Sequence, residues 1–319
     1  THKYKIVKIF IFTLFSQAVY ANYLVTDIGV LFEGTYSIAS AINNSGQVVG
    51  YANTPEGQRG FLYSNGKIKN LGLLTGGTYS FATAINNNSQ IAGTGDKQNG
   101  EERALLFQED FIKDLGVLDG GKHSSASGIN DSGVVVGASD SARGISAAMF
   151  VNGSVTSLQT FPAALVSKAT GINNFGEVVG PVQVVSPVLP STSAFLFNED
   201  GMQLVGNSFE RMTNVATDVN DRSTIIGSIN SDAGILAFSY HAGVRTILGV
   251  LPGDFNSYSR GINNFGEIVG DSEKPLSPLP SRAFLYRNGN IIDLQSLVAN
   301  GEGWNFTSAV DINDFGQIA

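Results

Sequence analysis

The sequence predicts an all-β fold: a β-propeller of seven four-stranded blades, closed by pairing of the N-terminal strand with the last blade. Three observations predict it. One turn segment recurs seven times at blade-sized intervals, each interval holds four short β-like stretches, and the two ends of the chain complement each other.

The recurring segment reads Ala41-Ile42-Asn43-Asn44-Ser45-Gly46-Gln47-Val48-Val49-Gly50 in its first copy. It returns at 84–93, 128–137, 171–180, 218–227 and 261–270, with a shorter copy at 311–319. Its first asparagine (Asn43, Asn86, Asn130, Asn173, Asn220, Asn263, Asn313) is spaced by 43, 44, 43, 47, 43 and 50 residues. Periods of roughly 40–50 residues belong to propeller blades, among other arrays. No stretch keeps a 3.6-residue apolar period for three turns, which disfavours helical repeats.

Within the second unit the strands are expected at 80–85, 90–93, 104–107 and 111–115. In most copies the first two strands are joined by Asn-Asn/Asp-x-Gly, whose residues tolerate left-handed backbone angles and make a tight hairpin. Third strands carry apolar cores such as Phe61-Leu62-Tyr63 and Ala194 to Phe197, several followed by Asn-Gly turns at Asn65, Asn152 and Asn288. First strands hold small residues four places before the marker asparagine (Ala39, Ala82, Ala126, Ala169, Ala216, Ala309), as suits innermost strands crowded at an axis. At the start, Tyr23 to Leu31 matches the fourth-strand segment 111–118, while the seventh unit lacks such a strand. Joining the two would remove an exposed edge, which an open β-solenoid would not require.

Residues 1–21 read as a signal peptide: Lys3, Lys5 and Lys8, an apolar core from Ile9 to Phe15, and Val19-Tyr20-Ala21 before the cleavage point. The apolar run is far below the roughly 20 residues that span a bilayer, so the mature chain is expected to have no integral membrane segment. The expected organisation is this leader followed by a single repeat domain over 22–319 with a truncated last blade. The product is expected to be a secreted monomer, extracellular or periplasmic. Cysteine is absent, which excludes disulfides, thiolate metal sites and a Cys nucleophile. Loss of the leader's three lysines takes the net charge from −8 to −11, so nucleic acid is not an expected partner.

The turn segment, the Ala-Phe-Leu-Phe/Tyr segment and the Asp-Leu-Gly segment, at this period and behind a signal peptide, resemble the bacterial extracellular repeats of the HAF family. The likeness covers nearly the whole mature chain. The family's His-Ala-Phe tripeptide survives as Ala194-Phe195, Ala237-Phe238 and Ala283-Phe284, preceded by Ser193, Leu236 and Arg282, so its histidine is absent. The resemblance implies an exported repeat protein and brings no activity to particular residues.

No nucleophile elbow, phosphate loop, His-Glu-x-x-His or calcium-loop pattern is present. His123 and His241 are expected in different parts of a blade, and no cofactor is expected. The turns at 218–221 and 311–314 come nearest to a calcium site. Ion cages need oxygens converging within about 2.5 Å, however, and each hairpin is expected at the edge of its own blade, so these residues read as turn formers.

Loops entering first strands and those joining second to third strands share one face, the expected site of binding. Seven places before the markers stand Tyr36, Tyr79, His123, Val166, Thr213, Asn256 and Phe306, with Tyr258 and Trp304 nearby. Tyr36, Tyr79, His123, Tyr258, Trp304 and Phe306 are therefore candidate binding residues around a rim, able to stack on sugars or anchor a protein, or else to fill gaps between blades. The rim's acids (Glu101, Glu102, Asp140, Glu210, Asp254, Asp271 and Glu302) are candidates for glycoside chemistry, or solvated charges. Proline-rich loops at 181–193 and 271–281 are placed to flank a groove. The leading expectation is a non-enzymatic binding or scaffold module for an extracellular glycan or protein. A carbohydrate-active hydrolase or lyase is the alternative.

Overall fold

The computed structural model describes residues 9–11, 23–108, 111–159, 164–184, 191–206, 213–274 and 280–319. Strand positions follow the sequence reading closely. In the second unit they are Ser80–Ile85, Ile91–Asp96, Glu102–Phe107 and Ile112–Asp114, joined antiparallel in that order. The same order holds in the units beginning at Ser37, Ser124, Ala164, Asn214 and Asn256.

Among the described residues these make six four-stranded blades and not the seven expected. The seventh repeat contributes only the bridge Ile312↔Ile318. Among the described residues, the N-terminal strand pairs with no strand of that unit. Leu24–Thr26 instead pairs antiparallel with Ile9–Ile11, and Tyr23 lies parallel to Val298 through Tyr23 N to Leu297 O at 2.8 Å and Ala299 N to Tyr23 O at 2.9 Å. The rest of the expected leader lies outside the described residues.

The inner strand of each blade faces two ways. Its burial alternates over Ser37–Ile42, Ser80–Ile85 and Asn214–Val219, with a buried face and a half-buried face whose residues include Ala41, packed on the next blade. A register shift interrupts the alternation, for instance between Ala126 and Gly128. There the second strand closes in so tightly that a Cβ on Gly137 would lie 1.9 Å from the Ser125 carbonyl oxygen. The last glycine of the repeat is thus required by the close approach of two backbones. In blade four the second strand carries Pro181, which has no N–H to give to Lys168, and the inner strand is split into Ala164–Ser167 and Gly171–Ile172. Pro181 to Val184 therefore belong to a strand, as do Asp271 to Glu273, and both expected loops are shorter than the sequence suggested.

Six places before the marker, a serine in five of the six blades and Asn214 in blade five tie each blade to the segment before it. Ser124 Oγ donates to Gly116 O at 2.6 Å and accepts from Ala104 N at 3.0 Å; Ser80 and Ser257 repeat the pattern. Ser37 donates to Gly29 O at 2.6 Å, so the N-terminal segment occupies the outer-strand place ahead of blade one. Replacing the buried Ser124 with alanine leaves an N–H and a C=O unpaired, and urea denaturation should show a loss of about 2–3 kcal/mol. A loss below about 0.5 kcal/mol would rule out this role for the serine.

The marker asparagines close the ring at the axis. Each is buried, with Oδ1 held by amides of its own turn, as in Ser45 N and Gln47 N to Asn43 Oδ1. Each Nδ2 donates to the marker carbonyl of the next unit, from Asn43 through Asn86, Asn130, Asn173, Asn220 and Asn263 to Asn313. Asn313 Nδ2 then donates to Asn43 O at 2.8 Å. The expectation that each turn sits at the edge of its own blade is corrected: the hairpin after an innermost strand is beside the axis by topology, and all seven converge there.

Candidate functional site

On the rim face the loop into each of the first three blades is fixed by one side chain of the second strand. Asn53 Oδ1 accepts from Thr35 N and Tyr36 N, Asp96 Oδ1 from Thr78 N and Tyr79 N, and Asp140 Oδ1 from Lys122 N and His123 N. Burial alone would push the Asp96 carboxyl up, but these amides and the Thr78 hydroxyl outweigh it and hold the group below the usual range. Tyr36, Tyr79 and His123 are thereby aligned on consecutive blades. Gln58 Nε2 donates to the Tyr36 hydroxyl, Tyr79 donates to Glu102 Oε2 at 2.9 Å, and Glu102 N donates to His123 Nδ1 at 3.2 Å. Burial, then the bond to Glu102, pushes the Tyr79 phenol up to about 12, which keeps it a donor at neutral pH.

The other aromatic candidates do not join this arc. Tyr258 is in the inner strand of blade six and donates to Glu273. Phe306 is buried in the core beside Ala283 and Leu285, and Trp304 packs against the same cluster, so both stabilise the seam between blade six and the seventh unit. Phe32 and Phe255, 85% and 51% exposed on rim loops, were missed because they fall outside the aligned positions. His123 and His241 lie apart, His241 being on a third strand with Nδ1 3.3 Å from Thr224 Oγ1.

Most of the rim acids are taken up structurally. Glu101 pairs with Arg103 at 2.6 Å, Asp271 with Arg260 at 2.7 Å and with the Ser308 hydroxyl, and Asp254 with Arg282 at 2.8 Å. Glu302 is exposed, and Glu210 lies outside the described residues.

A cleft of about 490 Å³ opens on this face between blade six and the seventh unit. Arg282 stands in it between Asp254 and Asp293, the latter at 3.1 Å. Lys274, Gln295, Asn305 and Thr307 add amine, amide and hydroxyl groups, and Pro252, Pro280 and Phe306 form its apolar wall. Pro280 comes from the second proline-rich loop; Pro275 and Pro278 lie outside the described residues, as do Pro187 and Pro190 of the first.

No protein-family model matches the chain, and no curated protein matches it. Two solved structures share its architecture. TolB from Acinetobacter baumannii aligns with a TM-score of 0.51 at 9% identity, over 77% of this chain and 62% of that one, so the chain spans about three-fifths of TolB. The β-propeller domain of the Trilobed protease from Pyrococcus furiosus, described as having an open velcro topology, aligns with a TM-score of 0.52 at 11% identity, over 86% and 85%. The chain has a β-propeller fold. At these identities the likeness extends to architecture alone.

Two further acids open the turns that come nearest to a calcium site in the sequence, at the inner hairpins of units five and seven. Asp218 and Asp311 sit two places before their markers, where other units have alanine or glycine. Asp218 Oδ1 accepts from Val219 N and Asp311 Oδ1 from Ile312 N, both at 2.8 Å, while Asp311 Oδ2 accepts from Ile42 N across the seam at 2.9 Å. They fit because the preceding units have no side chain there: a Cβ on Gly171 or Gly261 would come within 2.8 Å of the Asp218 or Asp311 Oδ1. Burial, then the charge of Asp311, pushes the Asp218 carboxyl up to about 7, and burial pushes Asp311 up to about 6. Among the described residues, no group of three or more His, Cys, Asp or Glu is placed to hold a metal ion, and no helix is long and apolar enough to cross a membrane.

Proposed function

We propose that this propeller is a non-enzymatic binding module that takes a glycan in the cleft between blade six and the seventh unit. The observation that carries this reading is the cleft's lining. Planar polar side chains, Arg282, Asp254, Asp293, Gln295 and Asn305, stand around an apolar wall that includes Phe306. Sugars present the matching surface, with hydroxyl pairs that bond to planar amides and carboxylates and C–H faces that pack on apolar groups. A volume of about 490 Å³ is within the range of small-ligand sites. Binding is favoured over hydrolysis because Asp254 and Asp293 are both engaged by the Arg282 guanidinium, which leaves neither poised as a separate acid or nucleophile.

Calorimetry against neutral mono- and oligosaccharides up to millimolar concentration tests the proposal. Saturable binding should weaken at least about tenfold in a Gln295→Ala, Asn305→Ala double variant whose melting temperature is unchanged. No saturable binding to any sugar, or binding unaffected by these changes, would sink it. Released reducing ends would instead favour the hydrolase.

A further inference from the structure

The opposite face, formed by the seven converging turns, carries a feature that folding does not explain. Two places after the marker stand Ser45, Asn88, Ser132, Phe175, Arg222, Phe265 and Phe315. The three phenylalanines are 75%, 65% and 69% exposed. Their side chains do nothing for the hairpins, since the amide of this residue donates to the marker Oδ1 equally in Ser45, Asn88, Arg222 and Phe175. Large rings left in water by units four, six and seven need another reason.

Between them lies the mouth of the axial channel, a polar cavity of about 180 Å³. Its outer lining is the residue after each marker: Asn44, Asn87, Asp131, Asn174, Asp221, Asn264 and Asp314. Each backbone N–H in this tier donates to the next unit's Oδ1, from Asn44 N to Asn87 Oδ1 at 2.9 Å round to Asp314 N to Asn44 Oδ1 at 2.9 Å. The amides also bond to the carboxylates, so Asp131, Asp221 and Asp314 each accept three hydrogen bonds. A carboxylate has about four acceptor sites, which leaves one on each acid. Among the described residues, none that lines the mouth is cationic. The one cation in these turns, Arg222, lies over the Phe265 ring at 5.8 Å, so the collar already receives a guanidinium on a ring face.

We propose that this mouth docks a basic segment of a protein partner, seating a lysine or arginine side chain among Asp131, Asp221 and Asp314 while Phe175, Phe265 and Phe315 cover its stem. The charge complementarity is local, and the net charge of −8 adds long-range attraction. The site is independent of the glycan cleft.

Fluorescence anisotropy with labelled pentalysine and penta-arginine, against pentaserine and pentaglutamate controls, tests it on the whole chain. Binding is expected for the basic peptides only. A triple variant, Phe175→Ser, Phe265→Ser and Phe315→Ser, keeps the charge and uses the residue found at this place in blades one and three. It should keep its melting temperature and bind at least about tenfold more weakly. A second variant, Asp131→Asn with Asp314→Asn, introduces the amide that other units carry and should lose binding to a similar extent. The Gln295→Ala, Asn305→Ala variant should bind the peptides as the parent does. Equal binding by the serine variant would reduce the effect to general charge attraction and overturn the proposal, as would no binding by the parent. Self-association of the parent that the serine substitutions abolish would assign the collar to a second copy of the chain and overturn it as well.

Discussion

Alanine in place of Gly137 should destabilise the propeller by about 3–5 kcal/mol, more than a single added methyl normally costs. The reason is where the methyl would go. It would lie 1.9 Å from the Ser125 carbonyl oxygen and 2.9 Å from the Ala126 Cα, and both obstacles are backbone of the inner strand. Relief requires the first and second strands to separate, which breaks the register on either side of the bulge and pulls on the marker turn below. Gly153→Ala is the natural control. That glycine has φ +83° in an exposed turn with nothing within 4 Å of its missing Cβ, so the change costs only the left-handed strain, about 1 kcal/mol. Urea denaturation of the two variants should separate crowding from backbone strain, and equal losses would refute the crowding argument.

The second large effect is a dependence on pH with an unusual sign. Asp218 and Asp311 have folded-state values near 7 and 6, above their ordinary 3.8. The folded chain therefore binds protons that the unfolded chain has released, and stability falls as pH rises from about 4 to about 7. Between pH 5 and pH 8 the loss should be on the order of a few kcal/mol, visible as a lower melting temperature at the higher pH. Asp96 acts in the opposite direction, because its lowered value withdraws stability in more acid solution, so the measurement belongs above pH 5. Asp218→Asn keeps the shape without the charge and should flatten the slope. A parent protein equally stable at pH 5 and pH 8 would mean that the channel solvates these carboxylates better than their surroundings suggest.

Much of this architecture was legible before any coordinates. Strand placement could be read because each blade needs the same hairpin, and Asn-Asn/Asp-x-Gly marks it in five of the seven units. The small residues of the inner strands and the outer-strand character of Asp27-Ile28-Gly29 were likewise local signals. The blade count was not, since counting markers gives seven units while the described residues form four paired strands in only six of them. The role of the markers was missed for a different reason. A turn-forming asparagine and an asparagine bonded to the next blade look the same in one repeat, and only closure brings Asn313 to Asn43, 270 residues earlier.

The candidate site was less visible. Tyr36, Tyr79 and His123 could be aligned by counting back from the markers, and they do share one face. Arg282, Asp293 and Gln295 belong to different parts of a blade and meet only where blade six borders the seventh unit. Phe306, at a rim position in the sequence, packs into the apolar cluster at the seam and also borders the cleft, a double role that its place in the repeat does not reveal.

The tier of Asn44, Asn87, Asp131, Asn174, Asp221, Asn264 and Asp314 alternates amide with carboxylate around most of its circuit. In a closed circuit of odd membership, strict alternation has no solution, and one pair of like neighbours must occur. Here that pair is Asn44 and Asn87, both neutral. Had the mismatch fallen on two acids, adjacent carboxylates would face each other with no side-chain donor between them. Parity thus obliges an odd assembly to hold one defect, and this sequence places it where the electrostatic penalty is least.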